Sequence, residues 1–300
     1  MIAKVVIPAA GLGTRLLPAT KQQPKEMLPV FAHGTGGELC VKPLIQLVFE
    51  GLHEAGFRQF CFIVGRGKRS IEDQFTLDAV FTEYLQKHMK HAQVREMQEF
   101  YSKVRSSSIV FINQQEPAGF GDAILQAKNF TRDEPFMVHA GDDLVISRNG
   151  GYCERLIKAF EAHDADGAFC VQKITNPTGY GVVEGKSAGR NIYRVEGVEE
   201  KPRRPKSNIA IVGIYLFKPK IYDCIENVRA GRDREIQLTD AIRRLVDEGG
   251  RVYAVELSSN ETRIDVGSPE SYWTALEATR SRWRPTDLAR SKLASHRVRR

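Results

Sequence analysis

Apolar runs rich in β-branched residues recur along the chain: KVVIPAA (4–10), QFCFIVG (59–65), SIVFINQ (108–114), PFMVHAG (135–141), GAFCVQKI (167–174) and NIAIVGIYLF (208–217). Each is the length of a buried strand. Between most of them lie stretches with helical spacing, such as KPLIQLVFEGLHEAG (42–56), GDAILQAKNF (121–130) and GYCERLIKAFEAHDAD (151–166). Strands that alternate with helices of this size predict a parallel or mixed sheet covered by helices. HEAGF and EAHDADGAF carry the glycine or polar stop expected where a helix hands over to the next strand. Residues 72–107 are polar and helix-prone and read as an insertion, and 276–300 reads as a basic C-terminal helix or tail. One α/β domain with decorations fits better than two independent ones.

Composition narrows the class. Hydrophobic residues make up 42% of the 300 and charged residues 27%, as in an ordinary globular protein. No apolar run approaches the roughly 20 residues that span a bilayer. The first residues read as a strand and not as a signal peptide, so a cytoplasmic location and no membrane partner are expected. The five cysteines are scattered without a Cys-x-x-Cys pair, which argues against a disulfide framework or a zinc site. The net charge of +7 is a local matter: 280–300 hold eight Lys/Arg against Asp287 alone, a surplus of seven. A nucleic-acid partner would rest on that tail only, and none is expected.

The chemistry starts after the first strand, in VVIPAAGLGTRLLPATKQQPKEMLPV (5–30). A Gly-x-Gly turn lets backbone N–H groups approach a polyphosphate. The dinucleotide fingerprint is incomplete, because Arg15 and Leu16 stand where its third glycine belongs. On glycine spacing alone, a phosphate cradle and a plain corner are equally good readings. Pro18, Pro24 and Pro29 disfavour one regular helix through the segment. They predict an extended connection that carries Arg15, Lys21, Lys25 and Glu26. Such cations can brace a triphosphate; a solvated basic loop is the plain alternative.

This segment resembles the signature of the sugar-1-phosphate nucleotidylyltransferases, which join G-x-G-T-R to P-K-x-(M/L)-(L/V)-P; the Lys-Glu-Met form is similar to the uridylyl branch. Further blocks agree in the same order through about residue 275: QQEPAGFGDAI, HAGDDL, TGYGVVE, VEEKP, REIQLTDAI and RIDVGSPESY. The resemblance implies a Rossmann-like three-layer α/β/α nucleotidyltransferase fold with a mixed, mostly parallel central sheet. The catalytic domain would span 1–275, with insertions near 31–41 and 72–107. AHGTGGELCV within the first insertion either extends the rim of the pocket or lengthens a hairpin.

Function follows from the same likeness. The resemblance implies UTP and glucose 1-phosphate as substrates, UDP-glucose and pyrophosphate as products, Mg²⁺ as cofactor, and a homo-oligomer, dimer or tetramer. A sibling using dTTP or another sugar phosphate, and a silent regulator that only binds a nucleotide sugar, are the competing functions. Asp142, at the end of the strand FMVHA, and Asp265 fit either turns and caps or a shared Mg²⁺ site; the family pattern assigns them the metal. Asp143 is left open. Gln114 matches a uracil edge, with Gln115 as its neighbouring rival. The family pattern puts Gln114 and Gly119 on the base, and Gly181, Glu200 and Lys201 on the sugar phosphate. Ala10, Gly11, Gly13, Thr14 and Glu26 would contact substrate, with Arg15, Lys25 and Lys201 as the catalytic cations.

Overall fold

A computed structural model describes residues 2–147, 151–231 and 235–282. In chain order its strands are β1 (Lys4–Ala9), β2 (Pro29–His33), β3 (Leu39–Pro43), β4 (Gln59–Gly65), β5 (Ser108–Gln114), β6 (Phe136–His139), β7 (Asp143–Ile146), β8 (Gly167–Lys173), β9 (Gly181–Gly189), β10 (Ile192–Glu200), β11 (Ile209–Phe217), β12 (Val252–Glu256) and β13 (Thr262–Asp265). The helices are α1 (Leu44–Glu54), α2 (Arg69–Gln74), α3 (Ala79–Lys87), α4 (His91–Arg105), α5 (Phe120–Leu125), α6 (Lys128–Thr131), α7 (Gly151–Ala162), α8 (Lys220–Glu226), α9 (Leu238–Asp247) and α10 (Pro269–Arg282).

Nine strands form one sheet in the order β5-β4-β1-β6-β11-β8-β12-β10-β9. β5, β4, β1 and β6 are mutually parallel, as are β8 and β12, while β11 runs against its neighbours β6 and β8. Alternation along each strand feeds two helical layers. Val5, Ile7, Phe60 and Phe62 pack with residues of α1, α2, α4 and α7, whereas Val6, Cys61, Ile63 and Val138 pack with α5, α8 and α9. The three-layer architecture expected from the sequence is present. Cys61, Cys153, Cys170 and Cys224 are buried free thiols, and burial pushes the Cys61 thiol up to about 12.

Two smaller ribbons lie outside the nine-stranded sheet. β2 and β3 make a hairpin whose turn lies in the glycine-rich insertion, and Thr35 there donates its backbone N–H to Glu96 of α4. The glycine-rich segment therefore lengthens a hairpin that leans on residues 72–107, which fold as the second half of α2 with α3 and α4. β7 and β13 form an antiparallel pair, with Asp143 directly opposite Asp265. Within the main sheet, the β9–β10 hairpin places Gly181 opposite Glu200. It curls so that Val182 meets Ala210 of β11, beside the pairing of Ile209 with Lys173 at the carboxyl end of β8. Among the described residues no helix is long and apolar enough to cross a membrane. The basic segment expected over 276–300 enters α10 as far as Arg282; the remainder lies outside the described residues.

Candidate active site

Ligands of open α/β sheets collect beyond the carboxyl ends of parallel strands. Here those ends are Ala9 of β1, Gly65 of β4, Gln114 of β5 and His139 of β6. The segment after β1 is neither a helix nor fully extended. Three short 3₁₀ turns, Thr14–Leu16, Ala19–Lys21 and Lys25–Met27, break at the prolines and fold it back on itself. The extended connection read from the prolines is thus replaced by consecutive tight turns. Leu16, Leu28 and Val30 anchor it on Ile264, Val266 and Ala275. Ala10 is buried, Gly11 and Thr14 are exposed, and the Gly13 carbonyl accepts from Thr20 Oγ1 at 2.7 Å.

That anchoring delivers Lys25 to the strand end of β6. Its Nζ donates to Asp142 Oδ2. Burial alone would lower this ammonium's pKa, but Asp142, Glu26 and Asp265 outweigh it and hold it above the ordinary lysine value. Burial pushes the Asp142 carboxyl up, yet Lys25 holds it below the usual aspartate range. The adjacent Glu26 is 1% exposed and accepts from Lys68 Nζ at 2.9 Å. Burial wins there, and Glu26 stays above the usual glutamate range despite Lys68 and Lys25.

Asp265 arrives on β13. The Val266 N–H donates to the Asp142 carbonyl at 3.1 Å, which ties the ends of β6 and β13 together. Burial raises the Asp265 pKa; Arg263 opposes this, while Asp142 and Asp143 reinforce it. Arg15 reaches the same corner. A Cβ added to Gly267 would sit 3.0 Å from Arg15 Nη2 and 3.1 Å from Asp265 Oδ2, so glycine there lets the two groups close in.

Asp143, left open by the sequence, has a definite place. It is 2% exposed, and Arg263 Nε lies 2.9 Å from each of its oxygens. The Gly213 N–H also donates to its Oδ2, at 3.0 Å. Asp143 is therefore occupied by its own protein.

Asp142 and Asp265 fit a Mg²⁺ ion by the chemistry of their donor set. They are two hard oxygen ligands with no third His, Cys, Asp or Glu grouped for metal binding among the described residues, and Mg²⁺ commonly takes its other ligands from phosphate and water.

The base and sugar segments flank this centre. Gln114 is 5% exposed and its Nε2 donates to the Gly119 carbonyl at 3.2 Å and to Asp122 Oδ2 at 2.6 Å. Both donors are spent on the loop, leaving the amide oxygen unpaired among the described residues. Gln115, the rival, is exposed. Gly119 has φ 108°, and a Cβ there would lie 2.7 Å from the backbone N and O of Ile236. Its missing side chain makes room for the Ile236 backbone. Glu200 Oε2 accepts from Thr239 Oγ1 at 2.7 Å and lies 3.4 Å from where a Gly181 Cβ would stand. Lys201 Nζ is 3.2 Å from Glu200 Oε1, and its backbone N–H donates to the Tyr180 carbonyl at 3.1 Å.

The loop after β1, Asp142 and Asp265 thus form one cluster, with the Gln114 and Glu200–Lys201 groups positioned by separate elements. Lys68, Arg263 and Thr239 were missed by sequence reasoning. Lys68 sits in GRGK directly after β4, the parallel neighbour of β1, and Arg263 stands two residues before Asp265. Those positions were the available signals.

Known proteins resemble the chain over most of its length. The sequence model of the family described as Nucleotidyl transferase matches residues 4–282. The chain is 37% identical over 274 residues to a UTP–glucose-1-phosphate uridylyltransferase of Streptococcus pyogenes, covering 89% of this chain and 84% of that one. It is 36% identical over 278 residues to the enzyme of that name from Bacillus subtilis, covering 91% and 89%. A crystal structure of UDP-glucose pyrophosphorylase complexed with UDP-glucose superposes with a TM-score of 0.80 at 30% identity, over 94% of this chain and 100% of that one.

Proposed function

The chain belongs to the nucleotidyl transferase family, on the side of its UTP–glucose-1-phosphate uridylyltransferases, and from that premise we propose a magnesium-dependent condensation of UTP with glucose 1-phosphate. The products are UDP-glucose and pyrophosphate. The observation that carries this reading is the gathering of Lys25, Asp142, Asp265 and Arg15 at one end of the parallel strands. No activated Ser, Cys or His stands in the cluster, and the reaction needs none.

A sugar phosphate oxygen is already ionised at neutral pH and attacks the α-phosphorus of the triphosphate. The bond from that phosphorus to the β-phosphate bridging oxygen breaks, and pyrophosphate leaves with the electron pair. Catalysis is then positioning and charge neutralisation. Arg15 and the loop amides from Ala10 to Thr14 hold the departing pyrophosphate. Lys25 leaves Asp142 and meets the α-phosphate. Glu200, steadied by Thr239, accepts from sugar hydroxyls, and Lys201 anchors the incoming phosphate. Gln114 offers its free amide oxygen to an imide N–H of the base. Asp142 and Asp265 would hold Mg²⁺, which supplies Lewis-acid neutralisation of phosphate charge when bound.

Pyrophosphate release measured over a panel of nucleoside triphosphates and sugar 1-phosphates tests the reading. UTP with glucose 1-phosphate should give the highest kcat/KM. A higher value with dTTP would assign the chain to a thymidylyl sibling, and no release with any pair would leave only nucleotide-sugar binding.

A further inference from the structure

Three carboxylates crowd this corner, and they are held differently: Asp142 by a single lysine contact, Asp143 by an arginine fork. Asp143 and Asp265 face each other directly across the β7–β13 ribbon, so their side chains lie on the same face. Like charges so placed repel. Arg263 precedes Asp265 by two residues and therefore shares that face. Its guanidinium spans both Asp143 oxygens, with Nη2 2.7 Å from Oδ2, and the Gly213 N–H takes a further lone pair of the same oxygen. The guanidinium is also fixed from its flat side, its Cζ lying 5.0 Å from the centroid of the Tyr180 ring. A planar fork held on its edge and its face has one orientation.

We propose that Arg263 is a positioning residue that withholds Asp143 from the metal, so that Asp142 and Asp265 alone face the cation; this rests on the proposed metal-dependent reading. Two carboxylates bind Mg²⁺ weakly unless nucleotide phosphates complete its shell. A third would tighten the site and favour loading without nucleotide. Arg263 thereby makes cation binding depend on the substrate, and Tyr180 keeps it from swinging off. The same stack links the metal corner to the sugar corner, since the Tyr180 carbonyl holds the Lys201 N–H.

The test measures Mn²⁺ binding to the nucleotide-free full chain by electron paramagnetic resonance, beside pyrophosphate release. Arg263→Gln should bind Mn²⁺ about ten-fold more tightly than wild type while turning over more slowly, because a released carboxylate joins the ligand set. Adding Asp143→Asn should return the affinity to within about two-fold of wild type, and adding Asp142→Asn should abolish the tight site. Arg263→Lys, a gentler change should the glutamine variant fail to fold, should bind Mn²⁺ with intermediate affinity. The proposal is overturned if neither Arg263 variant binds Mn²⁺ more tightly, or if the tight binding survives Asp143→Asn. The substrate panel on wild type tests the functional reading independently of these affinities.

Discussion

Asp142 and Asp143 are adjacent in the chain, and each is paired with a cation, yet the two pairs are built for opposite purposes. Lys25 meets Asp142 through a single ammonium contact from a turn in the loop after β1, and both side chains are about one-fifth exposed. Arg263 grips Asp143 with a two-point fork from a neighbouring strand, with a backbone N–H as third partner and almost no solvent. A point charge can be exchanged for another cation without leaving hydrogen bonds broken; a fork cannot. In the proposed reaction the first pair is a resting state that substrate dissolves, and the second is part of the frame.

The largest effect should come from the exchangeable pair. Asp142→Ala and Lys25→Ala should each cut kcat by about 10³-fold or more, the scale of losing a preorganised electrostatic partner. Circular dichroism should show both variants folded. A rate within ten-fold of wild type in either would remove that residue from the mechanism. The frame pair should respond the other way round. Asp143→Ala leaves Arg263 buried with its charge uncompensated, which costs about 3–5 kcal/mol when one partner of such a pair is removed. Urea denaturation measures it. A loss under about 1 kcal/mol would put Asp143 among the dispensable surface charges.

Acid titration sharpens the contrast between Asp142 and Glu26, whose pKa values move in opposite directions. A depressed carboxyl contributes stability that is present above its unfolded value, here 3.8, and lost as pH falls through the lower folded value. Wild type should therefore keep its full stability advantage over Asp142→Asn down to about pH 3.8 and lose it progressively below that. Glu26 is raised above 4.5, so its protonation in the folded state adds stability before unfolded glutamate titrates. Between neutral pH and 4.5, wild type should gain stability relative to Glu26→Gln. Parallel trends in the two comparisons would contradict the assigned environments.

The strands were legible as unbroken apolar runs, buried on both faces in β4 and only half-buried in the edge strand β5. QFCFIVG and SIVFINQ coincide with β4 and β5 end to end. The cations of the first loop were legible through their resemblance to a known signature, and Lys25 and Arg15 do stand beside the two aspartates. Partner choice was not legible. Nothing in GDD tells which aspartate is locked into the frame, because that depends on Arg263, 120 residues away, and on the Gly213 N–H of a different strand. Gly119 shows the same limit: its close packing against the Ile236 backbone, more than 100 residues away, could not be read from the sequence. A sequence shows which groups exist; only tertiary pairing shows which of them are already spent.

Lys201 gives the smallest effect on stability and the sharpest check on that distinction. Its side chain is 59% exposed and its ammonium stands 3.2 Å from Glu200, the last residue of β10. Exposed pairs of this kind contribute about 0–1 kcal/mol, because water screens the attraction and the long side chain loses freedom in forming it. Lys201 itself sits at φ 42°, so Lys201→Ala leaves that backbone strain in place and isolates the ammonium. The urea midpoint should shift by no more than about 0.5 kcal/mol equivalent. The KM for glucose 1-phosphate should rise about ten-fold or more with the KM for UTP little changed, as expected when one charged contact to a single substrate is removed. Glu200 also holds Thr239, and so would remain in place to bind the sugar without its neighbour. If stability fell while both KM values stayed put, Lys201 would belong with Arg263 in the frame and not with Lys25 among the exchangeable cations.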